Sequence, residues 1–241
     1  SHIANTAGGD IRKALNSLEV SALSTVQDKN GKIKITLNTA TQATQKKSMR
    51  FDRDGDSHYD ILSAFQKSMR GSDPDAAVYY LARLLDGGDM QSAIRRMLVC
   101  AAEDVGLAYP QALMVAKAAA DSALMLGMPE ARIPLAEAVI LIATSPKSNS
   151  AIGAIDSAMQ SLSNIDTGEI PSHLKDSHYG GAKKLGHGTE YKYPHSFKNH
   201  YVPQQYLPDN IKDTKFYIPG ENKNEAAAKK YWDTIKSEHR K

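Results

Sequence analysis

Two stretches of this sequence carry residue types that could do chemistry, and they lie at opposite ends of the chain. Near the start, "GGDIRKALNSLE" (8–19) reads as a helix opening, with Asp10 as its N-cap and Arg12 in its first turn. A cation there faces the positive end of the helix dipole, so the position asks for an anionic partner. A guanidinium is a planar, permanently charged fork suited to phosphate oxygens. The plainer reading is a solvated Arg12 paired with Asp10 or Glu19. Near the end, "KKLGHGTEYKYPHSFKNHY" interleaves Lys183, Lys184, Lys192 and Lys198 with Tyr191, Tyr193, Phe197 and Tyr201. Lysines neutralise phosphates, and aromatic rings stack on unpaired bases. Here too a plainer reading exists: the rings pack the segment onto helices while the lysines stay solvated.

Other constellations fall short of a site. A P-loop needs G-x-x-x-x-G-K-[ST], which is absent, as is a dinucleotide-binding glycine fingerprint. "MLVCAAEDVG" (97–106) imitates the acidic end of a Walker B strand, but its spacing is helical. It is expected to be a buried helix ending in two solvated or capping acids, Glu103 and Asp104. "DRDGD" (52–56) has its glycine too early for a calcium loop and no closing glutamate, so it reads as a polar linker. His173, His178, His187, His195 and His200 are spaced by 5, 9, 8 and 5 residues, which matches no common zinc site. No metal site is expected.

The elements that must position these residues are helical. Ile11, Ala14, Leu15, Leu18 and Ala22 recur at helical spacing and predict one buried face. "KIKITL" (32–37) alternates briefly, as a short strand or an extended link, and Thr36 can cap a helix near 37–47. Further helices are predicted over 59–69, from Pro74 to the Gly87-Gly88 stop, and over 90–105, 110–126, 129–144 and 148–162. Short connections imply antiparallel helical hairpins. The helix at 111–126 is apolar around most of its circumference, with only Lys117 and Asp121 charged. It should be buried on several sides, either at the centre of a monomeric bundle or against another subunit. From Pro171 periodicity fails, and an ordered irregular segment leads to a last helix near 222–239 anchored by Trp232.

Composition sets the frame. The 241 residues are 41% hydrophobic and 24% charged, as in a packed fold. No apolar run approaches the roughly 20 residues needed to span a bilayer, and the N-terminus shows no signal-peptide pattern. The single Cys100 excludes a disulfide framework and fits a reducing cytosol. Residues 171–241 hold 13 Lys and Arg against 8 Asp and Glu, and seven of the 11 tyrosines.

Taken together, the residues resemble a known family. "GGDIRKALNSLE" resembles the sensor-2 helix of clamp-loader-type AAA+ ATPases. "YDILSAFQKSMRGSDPDAAVYYLARLLDGGD", "AAEDVGLAYPQAL", "GMPEARIPLAEAVILIATSPKSN" and "GHGTEYKYPH…YVPQQYLP" resemble the replication-associated recombination protein A family. That family includes the Werner-helicase-interacting ATPases. The resemblance implies an all-α C-terminal part of a longer protein, whose missing half would carry the P-loop and Walker B acid and bind ATP and Mg. It implies a helical lid at 1–50, a helical-hairpin oligomerisation domain at 51–170 that forms tetramers, and the irregular segment with its terminal helix at 171–241. Arg12 then matches the sensor-2 arginine that reaches the γ-phosphate of ATP. Lys183, Lys184, Lys192, Lys198, Tyr191 and Tyr193 remain the candidate DNA contacts. The resembled proteins are cytoplasmic, nucleoid-associated, DNA-stimulated ATPases of replication, recombination and repair. They act at single-stranded ends or gaps and meet single-stranded-DNA-binding protein. The chain by itself would not be an enzyme.

Overall fold

The computed structural model describes residues 2–7, 11–27, 31–43, 56–176 and 188–238. Among these there is no β-strand, and the fold is all-α. Ten α-helices follow one another: α1 (His2–Ala7), α2 (Ile11–Leu23), α3 (Leu37–Ala43), α4 (Asp56–Arg70), α5 (Pro74–Asp86), α6 (Met90–Cys100), α7 (Gln111–Leu126), α8 (Arg132–Thr144), α9 (Ser150–Asn164) and α10 (Lys223–Glu238). The 32–36 stretch is the extended link, and the Thr36 hydroxyl accepts the Thr39 N–H at 3.2 Å to cap α3. The chain forms two compact units. The first comprises residues 1–105 and 110–145, the second 106–109 and 146–241.

In the first unit, α4 to α8 build the core. Phe65, Met69, Leu84, Met97, Val105, Leu135, Val139 and Ile142 are fully buried. The stops are those the sequence dictates. Asp73 caps α5 through the Ala76 N–H, Pro74 takes the first helical position, and Gly87 closes the last turn onto the Arg83 carbonyl. Asp89 likewise caps α6. α7 packs on α8 and α6, and its buried residues are the alanines Ala112, Ala116, Ala119, Ala120 and Ala123. Methyl-sized side chains let the helices approach closely.

Two helices leave large apolar side chains outside. α7 is buried on one side only: Leu113, Met114, Leu124 and Leu126 are exposed, and Met125 is 87% exposed, so α7 is not the centre of a monomeric bundle, and cover by another subunit is the alternative that remains. In α2 the apolar face points outward, with Ile11 73% exposed and Leu15 and Leu18 half exposed. The small residues Ala7, Ser21 and Ala40 occupy the contacts among α1, α2 and α3 instead. In both helices small side chains win the packing because they permit closer approach, and the large apolar ones are left outside.

After α6 the helix widens. Residues Ala101–Val105 form a π turn, and Gly106–Ala108 a 3-10 turn. The π turn swings Glu103 and Asp104 toward Arg70 at the end of α4. Arg70 donates through Nε to Asp104 at 2.5 Å and through a terminal nitrogen to Glu103 at 2.8 Å. The two acids are therefore not capping: they form an ion-paired clamp on Arg70, with Glu103 partly exposed and Asp104 only 7% exposed. Beside them Cys100 is buried. Burial first, then the neighbouring Asp104, pushes its thiol well above the usual range, so it stays protonated and unreactive at neutral pH.

In the second unit the described chain from Pro171 to α10 is irregular, as expected, and side-chain hydrogen bonds hold it. Asn210 donates to the Asp166 carbonyl, Asn224 to the Ala108 carbonyl, and the His173 imidazole to the Gln205 carbonyl, each within 2.9 Å. Its apolar core among the described residues is small: Ala108, Val202, Ile211 and Ile235. Trp232 does not anchor α10, being 46% exposed; the buried residues of that helix are Glu225 and Ile235. α9 has no buried residue, and Ile155, Met159 and Leu162 are exposed along it.

Gly106 is a tight point of the unit backbone. It sits at φ +47°, and a Cβ there would lie 2.8 Å from the Ser148 carbonyl oxygen. Gly106→Ala should therefore destabilise this unit by about 2–3 kcal/mol, from backbone strain and the clash together. Urea unfolding followed by emission of the single tryptophan, Trp232 in α10, reads this directly. An unchanged midpoint would refute it.

Candidate functional site

Arg12 stands in the first turn of α2. Its side chain, that of Lys13, and the N-cap position Asp10 lie outside the described residues. The lysine–tyrosine run is divided in the same way. Lys183 and Lys184, with His178 and His187, lie outside the described residues, whereas Tyr191, Lys192, Tyr193 and Lys198 lie within them.

The described half of that run is irregular, with 191–193 held from the side and followed by 3-10 turns at Pro194–Ser196 and Lys198–His200. The Gln204 amide grips Lys192, accepting its N–H at 3.2 Å and donating to its carbonyl at 2.9 Å. The same nitrogen lies 2.8 Å from the Tyr206 hydroxyl. Tyr191 and Tyr193 flank this grip with exposed rings. Tyr201 packs edge-on against Trp232 of α10, in keeping with the plainer reading, whereas Tyr191 and Tyr193 keep exposed rings and the Gln204 amide holds the backbone between them. Tyr193, His195 and His200 form a tilted series, with ring centres 5.2 and 4.9 Å apart. The charge is partly neutralised further on, where Lys198 and Asn199 both bind Glu238, at 2.9 and 3.0 Å.

α10 closes this side of the unit. Trp232 meets Tyr201 edge-on, centres 5.5 Å apart, and the Lys236 ammonium lies 4.7 Å from the indole centre. Sequence reading names Tyr201 and Trp232 but neither joins them nor finds Lys236, because α10 is separated from the tyrosine run by about 30 residues of irregular chain.

The start of α10 is fixed by a buried carboxylate that sequence reading also missed. Glu225 is 2% exposed. It accepts from Ser148 at 2.5 Å, Ser150 at 2.6 Å, Tyr217 at 2.9 Å and Asn222 at 2.5 Å. The Gly220 N–H adds a backbone bond. Burial alone would raise its pKa, but the bonds from Ser148, Ser150, Asn222 and Gly220 outweigh it and bring the carboxyl down to about 2. Burial, followed by the Glu225 charge, raises the Tyr217 hydroxyl. Every atom of this knot is satisfied within the protein, so its role is to position α10.

Among the described residues no group of three or more His, Cys, Asp or Glu is arranged to hold a metal ion. No described helix is long and apolar enough to cross a membrane.

Comparison with known proteins places this architecture. A family model described as "MgsA AAA+ ATPase C terminal" matches residues 71–236, and one described as "AAA C-terminal domain" matches residues 1–70. The chain is 54% identical to replication-associated recombination protein A of Bacillus subtilis, over 97% of this chain and 56% of that protein. It is 39% identical to the protein of the same name from Escherichia coli K12, over 90% of this chain and 49% of that one. ATPase WRNIP1 of Dictyostelium discoideum is 32% identical over 89% of this chain and 26% of its own length. The chain thus spans about half the length of the bacterial relatives it matches, and it aligns with the part that both models describe as C-terminal. On the match across α5 to α10, this chain belongs to the MgsA AAA+ ATPase C-terminal family.

Proposed function

We propose that this chain is the lid and tetramerisation region of a clamp-loader-like AAA+ ATPase acting in DNA replication, recombination and repair at stalled or gapped forks. Such an ATPase would be a cytoplasmic, nucleoid-associated protein. The observation that carries the assembly reading is the outer side of α7. Leu113 and Leu124 are three turns apart, as are Met114 and Met125, so they form two exposed apolar lines along the helix. The Lys117–Asp121 ion pair runs between them. Exposed large side chains at helical spacing mark a surface that another protein covers, and identical copies are the simplest cover. Sedimentation of the 241-residue chain tests this: a tetramer is expected, and a strict monomer at tens of micromolar would refute it.

The lid reading is supported by α2, whose exposed Ile11, Leu15 and Leu18 stripe is suited to packing on a nucleotide-binding half. Arg12, one step along the same helix, is then the residue proposed to reach the γ-phosphate. ATP and Mg belong to that other half, and the catalytic machinery with them. Single-stranded-DNA-binding protein is carried as a proposed partner of the whole protein only.

A second reading has its own observation in the exposed Tyr191 and Tyr193 rings on either side of Lys192. It assigns this segment to nucleic-acid contact, with Lys183, Lys184, Lys192 and Lys198 on phosphates. Single-stranded or gapped DNA should bind with an affinity that falls as salt rises. Neutralising Lys183, Lys184 and Lys192 together should lower the logarithmic salt slope by about 2. Absence of binding at low salt would dispose of this reading.

A further inference from the structure

A pocket between α10 and the irregular segment has features that neither assembly nor the tyrosine run accounts for. It is lined by His200, Tyr201, Gln204, Tyr206, Trp232 and Lys236 and holds about 430 Å³, within the range of small-ligand sites. Tyr206 and Trp232 each present about half of their surface to solvent. The Lys236 ammonium stands over the indole. Among the described residues that line the pocket none is a carboxylate, so a cationic ligand would find no counter-charge.

The backbone beneath the pocket is strained. Asn199 and His200 are consecutive non-glycine residues in the left-handed region, at φ +56° and +52°. Such conformations persist only where the surroundings enforce them, and they gather at ligand clamps. Here the strain brings the His200 ring to the pocket wall and into line with His195. The Gln204 amide joins Lys192 to the Tyr206 hydroxyl, so the pocket edge and the tyrosine run move as one piece.

We propose that this pocket takes one unstacked base of a single-stranded nucleic acid, with the adjoining phosphate on Lys236. The proposal rests on the nucleic-acid reading above and adds a base-specific element to it. A phosphate drawn to Lys236 takes the ammonium off the indole and frees that ring for the base. Tyr206 supplies a second ring, and His200 a second donor toward the phosphate. Flat rings beside a cation, without a carboxylate, match the two chemical halves of a nucleotide.

Trp232 is the only tryptophan in the sequence, so its emission reports the pocket alone. The full chain is titrated at low salt with a short oligothymidylate and with an abasic oligomer of equal length. Emission and the anisotropy of a labelled strand are both read. Saturable quenching is expected with oligothymidylate only, with about tenfold tighter binding than the abasic strand. Tyr206→Ala should remove most of that tenfold difference and leave abasic binding unchanged, whereas Tyr206→Phe should retain the difference. Equal binding of the two oligomers without quenching overturns the pocket and leaves the nucleic-acid reading standing. Binding of neither overturns both. Quenching by an acidic peptide with an aromatic C-terminal residue, but not by oligothymidylate, overturns the base assignment in favour of a peptide site.

Discussion

Replacing Glu225 with glutamine is expected to lower the unfolding free energy of the second unit by about 3 kcal/mol at neutral pH. The carboxylate accepts four side-chain donors and a backbone N–H in a site closed to water. An amide of the same shape offers one acceptor oxygen, and it turns an N–H₂ group toward donors that then have no partner. Buried donors left unpaired cost about 1–3 kcal/mol each, with partial relaxation. The pH dependence has a definite sign. The folded carboxyl lies near 2, below its ordinary 4.5. Its contribution is therefore complete above the ordinary value and is lost as pH falls from about 4.5 toward 2. Over that window the gap between the natural protein and Glu225→Gln should close, because the folded state gives up its anion. Comparing the two proteins cancels the other titrating groups. The measurement is urea unfolding read by Trp232 emission at several pH values. Equal stability of the two proteins at pH 6 would refute the assignment.

The second large effect concerns assembly. Met114→Lys combined with Met125→Lys should weaken self-association at least about 100-fold, from burying two ammonium groups and losing two apolar contacts. Both side chains are exposed in the single chain, so its own unfolding free energy should change by less than about 0.5 kcal/mol. Sedimentation gives the first quantity and urea unfolding of dilute protein the second. Assembly that survives the double substitution would move the interface away from α7. The apolar side of α9, with Ile155, Met159 and Leu162, would then be the surface to test.

Much of the helical frame was legible because its signals are local. Asp73-Pro74 and Gly87-Gly88 mark the ends of α5 within one stretch of sequence, and Phe65 and Met69 fall on the face that their spacing assigns. What was misread needed knowledge of a partner. The apolar period of α2 correctly gives a helix, but period alone does not say which side packs, and Ala7, Ser21 and Ala40 take the contacts. Trp232 is expected to anchor the last helix, whereas Lys236 and Tyr201 meet it near the surface. The clamp of Arg70 on Glu103 and Asp104, and the knot around Glu225, join residues more than 30 and more than 70 positions apart. Spacing rules do not reach that far. A usable sign for the knot did exist: Asn222 and Glu225 stand three apart at the start of α10, where an acidic side chain commonly reaches back to the cap.

Residues 106–109 have a consequence for dissecting this protein by truncation. They belong to the second unit while the chain on either side belongs to the first. A piece starting at Pro146 would lack the Ala108 carbonyl that Asn224 binds and the Gly106 backbone that fits against Ser148. A piece ending at Ser145 would keep those four residues with their partners removed, turning a pinned connection between α6 and α7 into a slack one. Neither cut isolates a unit. A phenotype from either deletion therefore reports damage on both sides of the boundary.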